Sequence, residues 1–346
     1  MLKIDKTLIS STSPSYIIGE IGSNHQQSIS IAKESIDALT EIGVNAVKFQ
    51  SINILELYYK PEKNIRNLHK KIDLNEKWHN ELKNYSTKKK VTFISSPTYI
   101  NAINILEKIN VKAYKIASAQ TSVFPQLVEK VAKINKPTFI STGLIKDSEL
   151  DQIIKIFKNY KNKKYIIMYC NSVYPTPPEI VHIKRISKLI KNYRCLVGYS
   201  DHTVSETASL AALSLGARVF EKHFKLNNSI KSPDAHFSLN PKNFSNYVKK
   251  IREFEKLFNY KEKKLLENQE NKFKKTIKYY LFAKKNLKKN QVIKIDNINF
   301  LRHSFKEKNT ALSANDIFFK RVLLKNNLKK NDYLKKSDVK ILKRKV

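Results

Sequence analysis

The chain has 346 residues and a net charge of +36, and its 66 basic side chains comprise 58 lysines and only 8 arginines. Because bidentate recognition of phosphates and bases favours arginine, this balance argues against a nucleic-acid partner. The sequence contains no run of about 18 apolar residues and no apolar leader with a cleavage site, so we expect a cytoplasmic protein without a membrane partner. Cys170 and Cys195 lie in strand-like runs and are expected to be reduced.

Short β-rich runs alternate with longer amphipathic runs along the first 258 residues. The predicted strands are residues 15–22, 46–51, 91–96, 113–118, 137–142, 165–170, 195–200 and 218–224. Helical spacing of apolar residues is clear at 29–43, 148–160, 205–216 and 240–258. Eight such units in about 250 residues predict an α/β fold of the (β/α)8 TIM-barrel type, with a doubly wound open sheet as the alternative.

Polar and charged side chains gather at the predicted carboxyl ends of these strands. They are Glu20, Lys48, Gln50, Ser95, Ser96, Lys115, Ser118, Thr142, Ser200, His202, Glu221 and His223. Because alternate residues of a strand share a face, Lys48 lies beside Gln50, and Glu221 lies beside His223. Catalytic groups of barrel enzymes project from these strand ends, so we predict the functional site there.

Two histidines follow from this arrangement as candidate metal ligands. His202 lies in the run GYSDHT and His223 in the run EKHF, at the ends of neighbouring predicted strands. Imidazoles from adjacent strand ends can bind one divalent metal. Taken singly, each histidine is more often a core residue than a ligand, and this alternative stays open.

Three other candidates also have both a functional and a structural interpretation. Asp234, in the run SPDAHFSL, is either an acid, base or sugar-hydroxyl partner or the start of an Asx turn after proline. Lys48 and Lys115, together with nearby serines, either bind a phosphate and a carboxylate or are solvated rim residues. The position of both lysines inside apolar strands favours anion binding.

The C-terminal quarter of the chain changes in character. Residues 259–276 are highly charged and predict a linker or an exposed helix, and residues 277–346 contain a short repeat. The run NLKKN occurs at 286–290 and again at 327–331. Since asparagine tolerates a left-handed backbone conformation, Asn290 and Asn331 predict equivalent turns in a small pseudo-symmetric β module.

The complete set of motifs resembles the sialic acid synthase family, which includes the N-acetylneuraminate, legionaminic acid and pseudaminic acid synthases. The matching runs are IGEIGSNH (18–25), AVKFQ (46–50), FISSP (93–97), YKIAS (114–118), ISTG (140–143), YPTP (174–177), GYSDHT (198–203), EKHF (221–224) and SPDAHFSL (232–239). The tail resembles the small antifreeze-like (SAF, β-clip) domain of these enzymes. The resemblance thus divides the chain into a synthase barrel (1–258), a linker (259–276) and an antifreeze-like domain (277–346).

The resemblance implies condensation of phosphoenolpyruvate with an N-acetylated amino sugar of the N-acetylmannosamine type. A diacetamido-trideoxy hexose, the substrate type of the legionaminic and pseudaminic acid branches, is the alternative. It also implies Mn²⁺ or Mg²⁺ at His202 and His223, and a domain-swapped homodimer in which Arg302 reaches the partner's sugar site. The positions that match phosphoenolpyruvate-binding residues are Lys48, Ser96, Lys115, Ser118 and Ser200. The positions that match residues near the sugar are Glu20, Gln50, Tyr174 and Asp234, with Glu20 and Asp234 as the catalytic candidates.

Two departures from the family pattern bear on activity. Gln120 stands where many relatives have a glutamate, and an amide cannot accept a proton from water at neutral pH. Arg302 is followed by His303 and Ser304 rather than by Pro-Gly. A degenerate relative that binds sugar or anion without turnover is therefore a second hypothesis, and a basic nucleic-acid-binding protein is a third.

Overall fold

The computed structural model describes residues 1–257, 263–304, 309–317 and 320–342, with side chains of 263–266 excepted. Contacts within the chain divide it into two compact units, Met1–Phe258 and Asn259–Val346. Among the described residues, no helix combines the length and apolar character that crossing a membrane requires.

The first unit is built on eight parallel strands. They are β3 (Tyr16–Glu20), β4 (Ala46–Ser51), β5 (Thr92–Pro97), β6 (Tyr114–Ile116), β7 (Thr138–Ser141), β8 (Tyr165–Tyr169), β9 (Val197–Asp201) and β10 (Val219–His223). Their order is β5-β4-β3-β10-β9-β8-β7-β6, and β5 lies beside β6, so the sheet curls into a (β/α)8 barrel. Every predicted strand is present, and the open-sheet alternative is wrong. A hairpin of β1 (Leu2–Ile4) and β2 (Thr7–Ile9) precedes the barrel.

Helices connect the strands and cover the outside of the sheet. They are α1 (Ile29–Ile42), α2 (Ile54–Leu57), α3 (Lys63–Ile72), α4 (Trp78–Lys88), α5 (Ile100–Lys108), α6 (Ser118–Val123), α7 (Pro125–Ile134), α8 (Asp147–Asn159), α9 (Arg185–Tyr193), α10 (Thr207–Ser214) and α11 (Pro241–Lys256). Helix α1 begins where the Ser28 hydroxyl accepts a hydrogen bond from the Ile31 amide, and it ends at Gly43, whose φ of 88° suits glycine.

Two apolar layers fix the direction in which strand side chains point. The outer layer packs helices against the sheet, and a smaller cluster that includes Ile18, Ala46, Ile94 and Val219 fills the barrel interior. Because side chains alternate along a strand, the residues two positions after these also point inward. Those residues are Glu20, Lys48, Ser96 and Glu221, so polar groups line the barrel directly above its apolar floor.

The second unit contains helix α12 (Lys263–Thr276) and two small antiparallel sheets. The sheets pair β11 (Tyr280–Ala283) with β12 (Ile298–Leu301), and β13 (Arg321–Leu324) with β14 (Val339–Leu342); helix α13 (Ala314–Ile317) lies between them in sequence. Leu287 and Leu328, one from each NLKKN run, form a reciprocal backbone pair at 2.8 and 2.9 Å. Asn290 and Asn331 have φ values of 64° and 73°, as predicted. The assignment of an antifreeze-like domain stays a prediction.

Candidate active site

The carboxyl ends of the strands bring together charged groups that are distant in sequence. The Lys48 amino group lies 2.8 Å from Glu20 Oε2 and donates a hydrogen bond of 3.3 Å to Ser96 Oγ. The Lys115 amino group lies 3.1 Å from Glu221 Oε1. All five side chains are buried. The predicted anion-binding lysines are therefore inside the barrel mouth, and the alternative of solvated rim residues is wrong.

Burial and charge shift the two carboxylates in opposite directions. Burial raises the pKa of Glu20 to about 7, although Lys48 partly offsets this effect. Burial also disfavours the ionised form of Glu221, but Lys115 and Lys48 outweigh it and hold its pKa well below the ordinary range. Glu221 is thus an anion at neutral pH, and Glu20 is poised to exchange a proton. Gln50 donates a hydrogen bond of 2.7 Å to the Oε1 atom of Glu20.

His202 and His223 lie next to this charged cluster, with ring centroids 5.5 Å apart. The Nδ1 atom of His202 donates to the Asn171 carbonyl at 2.7 Å, which leaves Nε2 as the lone-pair nitrogen. The Nδ1 atom of His223 is buried without a hydrogen-bond partner among the described residues. Burial lowers the pKa of His202 to about 4 and lowers that of His223 well below its ordinary value. Both rings are therefore neutral, the state that binds metal.

These properties fit a metal site that the protein completes only in part. Two neutral imidazoles lie within reach of each other, and one has an unsatisfied buried nitrogen. In the described parts of the chain, no group of three or more His, Cys, Asp or Glu side chains has the arrangement of a full metal site. His202 and His223 could hold a divalent ion whose other ligands come from substrate or water.

An aromatic wall borders the two histidines. The Tyr174 ring lies 4.3 Å from that of His202, and the Phe237 ring lies 4.7 Å from that of His223. Tyr174 and Phe237 contact each other at 5.2 Å. The predicted sugar-site residue Tyr174 is thus beside the predicted metal ligands, whereas the sequence analysis did not select Phe237.

Asp234 also reaches this wall from the loop after β10. Its Oδ2 atom accepts a hydrogen bond of 2.8 Å from the Ser23 amide and lies 3.9 Å from His223 Nδ1. Gly22, with φ of 51°, makes this approach possible, because a Cβ there would overlap the Asp234 carboxylate. The Asp234 carboxylate is therefore held by the loop after β3, and the structure places it at the site.

Several hydroxyls lie at the carboxyl ends of strands β6, β8 and β9. Ser118 Oγ lies 3.2 Å from Cys170 Sγ, and the hydroxyls of Ser172 and Ser200 are buried without hydrogen-bond partners among the described residues. A Cβ at Gly143 would overlap Ser172 Oγ and would lie 2.7 Å from Ser118 Oγ. The absence of a side chain at Gly143 thus lets the hydroxyls of Ser118 and Ser172 lie close to its backbone.

Two further residues from the sequence analysis belong to other elements of the chain. Arg302 belongs to the second unit, where its guanidinium lies 5.1 Å from the Tyr279 ring centroid; its reach toward a sugar stays a prediction. Gln120 is half-buried in α6, two residues after Ser118. A groove of about 940 Å³ between α9 and α10 is lined by none of the predicted site residues.

Sequence reasoning missed the pairing of Glu221 with Lys115 and the role of Gly143. Glu221 was recognised as a polar strand-end residue but was given no partner, because its partner lies 106 residues away. Strand alternation places Glu221 on the same face as His223, but it does not identify the lysine that Glu221 meets across the barrel.

A (β/α)8 barrel with buried lysine–carboxylate pairs and two neutral histidines at its mouth has the construction of an enzyme. The chain belongs to the NeuB family, whose sequence profile matches residues 35–263. This match confirms the family resemblance that the motifs indicated.

Named relatives cover most of the chain. The pseudaminic acid synthase of Campylobacter jejuni subsp. jejuni serotype O:23/36 is 32% identical over 84% of this chain and 88% of its own. The N-acetylneuraminate-9-phosphate synthase of Homo sapiens is 31% identical over 73% of this chain and 74% of its own. The crystal structure of N-acetylneuraminic acid synthetase from Leptospira borgpetersenii serovar Hardjo-bovis has a TM-score of 0.71 at 28% identity, covering 78% of this chain and 96% of that one.

Proposed function

We propose that this protein condenses phosphoenolpyruvate with an N-acetylated amino sugar to form a nine-carbon sialic-type acid and inorganic phosphate. The observation that carries the proposal is the buried cluster of Lys48, Lys115, Glu20 and Glu221 beside two neutral histidines. Membership of the NeuB family and the names of its relatives support the same reaction.

Lys48 and Lys115 bind the phosphate and carboxylate groups of phosphoenolpyruvate. In the structure, each ammonium group contacts a carboxylate. A dianionic phosphate would compete with that carboxylate for the ammonium group. The hydroxyls of Ser96, Ser118 and Ser200 supply neutral donors, and that of Ser200 has no other partner among the described residues. A buried hydroxyl without a partner favours a ligand that accepts a hydrogen bond from it.

The amino sugar binds at the side of the mouth formed by Glu20, Gln50, Tyr174 and Asp234. Carboxylate and amide oxygens accept from sugar hydroxyls, and the Tyr174 ring gives an apolar face for the pyranose carbons or the open chain. His202 and His223 hold Mn²⁺ or Mg²⁺, which when bound supplies Lewis acidity at the sugar aldehyde.

The reaction forms a C–C bond and a C–O bond from water to C2, and it breaks the C–O bond between C2 and the phosphate. C3 of phosphoenolpyruvate attacks C1 of the aldehyde, the aldehyde oxygen gains a proton, and water adds to C2. Loss of phosphate by C–O cleavage then leaves the 2-keto acid. Since Gln120 cannot act as a base, Glu20 takes the proton of the attacking water in this chain, and its pKa of about 7 suits that task. Asp234 is the second candidate for this role.

N-Acetylmannosamine is our first choice of acceptor, and a 2,4-diacetamido-trideoxy hexose is the second. Similarity leans toward the second, because the pseudaminic acid synthase aligns over 84% of this chain and the N-acetylneuraminate-9-phosphate synthase over 73%, at 32% and 31% identity. We further propose an antifreeze-like domain at 277–346, a domain-swapped homodimer in which Arg302 contacts the partner's sugar, and a cytoplasmic location.

The test is phosphate release from phosphoenolpyruvate by the purified protein with Mn²⁺, with each sugar in a parallel assay. Release that needs one sugar and stops with a chelator would support the proposal and identify the acceptor. A folded protein that binds phosphoenolpyruvate but releases no phosphate with any sugar would favour the degenerate binder, and Gln120→Glu would then be the first variant to assay. Binding to unrelated DNA duplexes at physiological salt would favour the nucleic-acid hypothesis.

A further inference from the structure

A third buried ion pair lies directly behind the two histidines. The Lys222 amino group is 3.1 Å from Asp201 Oδ2, and the side chains are 1% and 0% exposed. The two residues are direct neighbours in the ladder between β9 and β10. Asp201 precedes His202, and Lys222 precedes His223, so the ion pair lies on the outer face of the strands that carry both histidines.

Hydrogen bonds satisfy the pair almost completely. Asp201 Oδ1 accepts from the Thr203 amide at 2.8 Å and from its hydroxyl at 2.7 Å, and Oδ2 accepts from the Ser209 hydroxyl at 2.7 Å. Lys222 donates to the Thr203 carbonyl and lies 5.9 Å from the centre of the Tyr247 ring. Well-packed apolar residues stabilise a core at least as well as a buried ion pair does. Stability alone therefore does not account for this ion pair, and its effect on the positions of the two strand ends is the better explanation.

The two histidines differ in how their rings are held. His202 is fixed by its own contacts, since Nδ1 donates to Asn171 and the His202 carbonyl accepts from the Thr176 amide at 2.9 Å. His223 Nδ1 has no hydrogen-bond partner among the described residues. The His223 ring packs against Phe237, and its remaining constraint is the backbone of β10, which Lys222 ties to the Asp201–Thr203 turn that carries His202.

We propose that Asp201 and Lys222 are positioning residues that keep His202 and His223 at the separation needed to bind one metal ion. The inference rests on the proposed function, because it takes the two histidines as the metal ligands. It adds two residues outside the site, on the far face of the sheet, that determine metal affinity.

The experiment measures the Kd for Mn²⁺ of substrate-free protein by calorimetry. The double variant Asp201→Leu/Lys222→Met replaces the ion pair by apolar side chains and leaves no unpaired buried charge. We expect its melting temperature to stay close to that of the wild type and its Mn²⁺ affinity to fall about 10- to 100-fold, as for other residues that orient metal ligands. Asp201→Asn, which keeps the shape of the side chain, should give a smaller loss and serves if the double variant does not fold.

The matched control is Lys33→Met/Glu81→Leu, which removes an ion pair between α1 and α4 by the same chemical change. It should leave the Mn²⁺ affinity unchanged. If the wild type binds Mn²⁺ and the folded Asp201/Lys222 variants bind it equally well, the inference alone is wrong. If the wild type binds no Mn²⁺, the metal assignment of the proposed function fails and the inference fails with it.

Discussion

Glu20 and Glu221 face the same barrel mouth, yet their pKa values move in opposite directions. Glu221 lies 3.1 Å from Lys115 and 3.9 Å from Lys48, whereas Glu20 has one ammonium group close by. A carboxylate with two cations stays ionised despite burial, and one with a single cation does not do so fully. Two identical functional groups can therefore play different parts at the same pH.

The raised pKa of Glu20 predicts the pH dependence of the reaction. A base acts in its ionised form, so kcat/KM should rise as the pH increases through about 7. Glu20→Gln should lower kcat by about 10²-fold or more and remove that rise. The check is a pH profile from 5.5 to 8.5, with Glu34→Gln on helix α1 as the control. If the profile of Glu20→Gln keeps the same rise, another group must be the base.

The two histidines give a second residue-scale prediction. His202→Ala and His223→Ala should each abolish Mn²⁺-dependent phosphate release, because a single imidazole retains little affinity for the metal. Because both rings are buried, the melting temperature of each variant should be measured beside its activity to show that the barrel is still folded. His182→Asn alters an exposed histidine and should leave turnover intact. Normal activity in either alanine variant would contradict the metal assignment.

At the scale of strands and loops, the loop after β7 approaches its neighbours closely at Gly143, where the hydroxyls of Ser118 and Ser172 lie against the backbone. Gly143→Ala would push a methyl group against Ser118 and Ser172, and we expect the KM for phosphoenolpyruvate to rise by about tenfold. Steady-state kinetics with the sugar saturating would measure it. Gly43→Asn is the control, since that glycine has a positive φ that asparagine tolerates and no atom within 4 Å of the added Cβ. An unchanged KM in Gly143→Ala would show that the hydroxyls next to Gly143 do not contact phosphoenolpyruvate.

Strand alternation made much of this site predictable from sequence. Residues two apart share a face, which predicted a common face for Lys48 and Gln50 and another for Glu221 and His223; in the structure both faces point into the barrel. The partners of these residues could not be predicted, because Lys115 meets Glu221 only through closure of the barrel. The unsatisfied Nδ1 of His223 and the outward Asp201–Lys222 pair likewise depend on three-dimensional packing that no local pattern encodes.

For the whole molecule, the distribution of charge is uneven. The second unit holds 26 of the 66 basic residues and 8 of the 30 acidic ones, so about a quarter of the chain carries half of the net charge. Composition showed the excess charge, but only the division into units shows where it is concentrated. A field of this sign attracts a small anionic substrate over a distance set by ionic strength.

This charge predicts a salt dependence that separates the two substrates. Raising KCl from about 20 to 200 mM shortens the screening length, and kcat/KM for phosphoenolpyruvate should fall severalfold. The neutral sugar is the internal control, and its KM should change much less. Equal sensitivity of both substrates to salt would point to a general effect on the protein rather than to steering of the anion.

The barrel also has a discontinuity in its hydrogen bonding. Within residues 1–257, which are described throughout, backbone ladders join every neighbouring pair of barrel strands except β5 and β6, which lie side by side. A circular permutant that begins near Lys112, with the original barrel ends joined, would start at β6 and finish after α5. Every backbone ladder of the barrel would be kept, because the new termini would lie at the two ends of the strand order. We therefore expect the chain to tolerate a new terminus between α5 and β6.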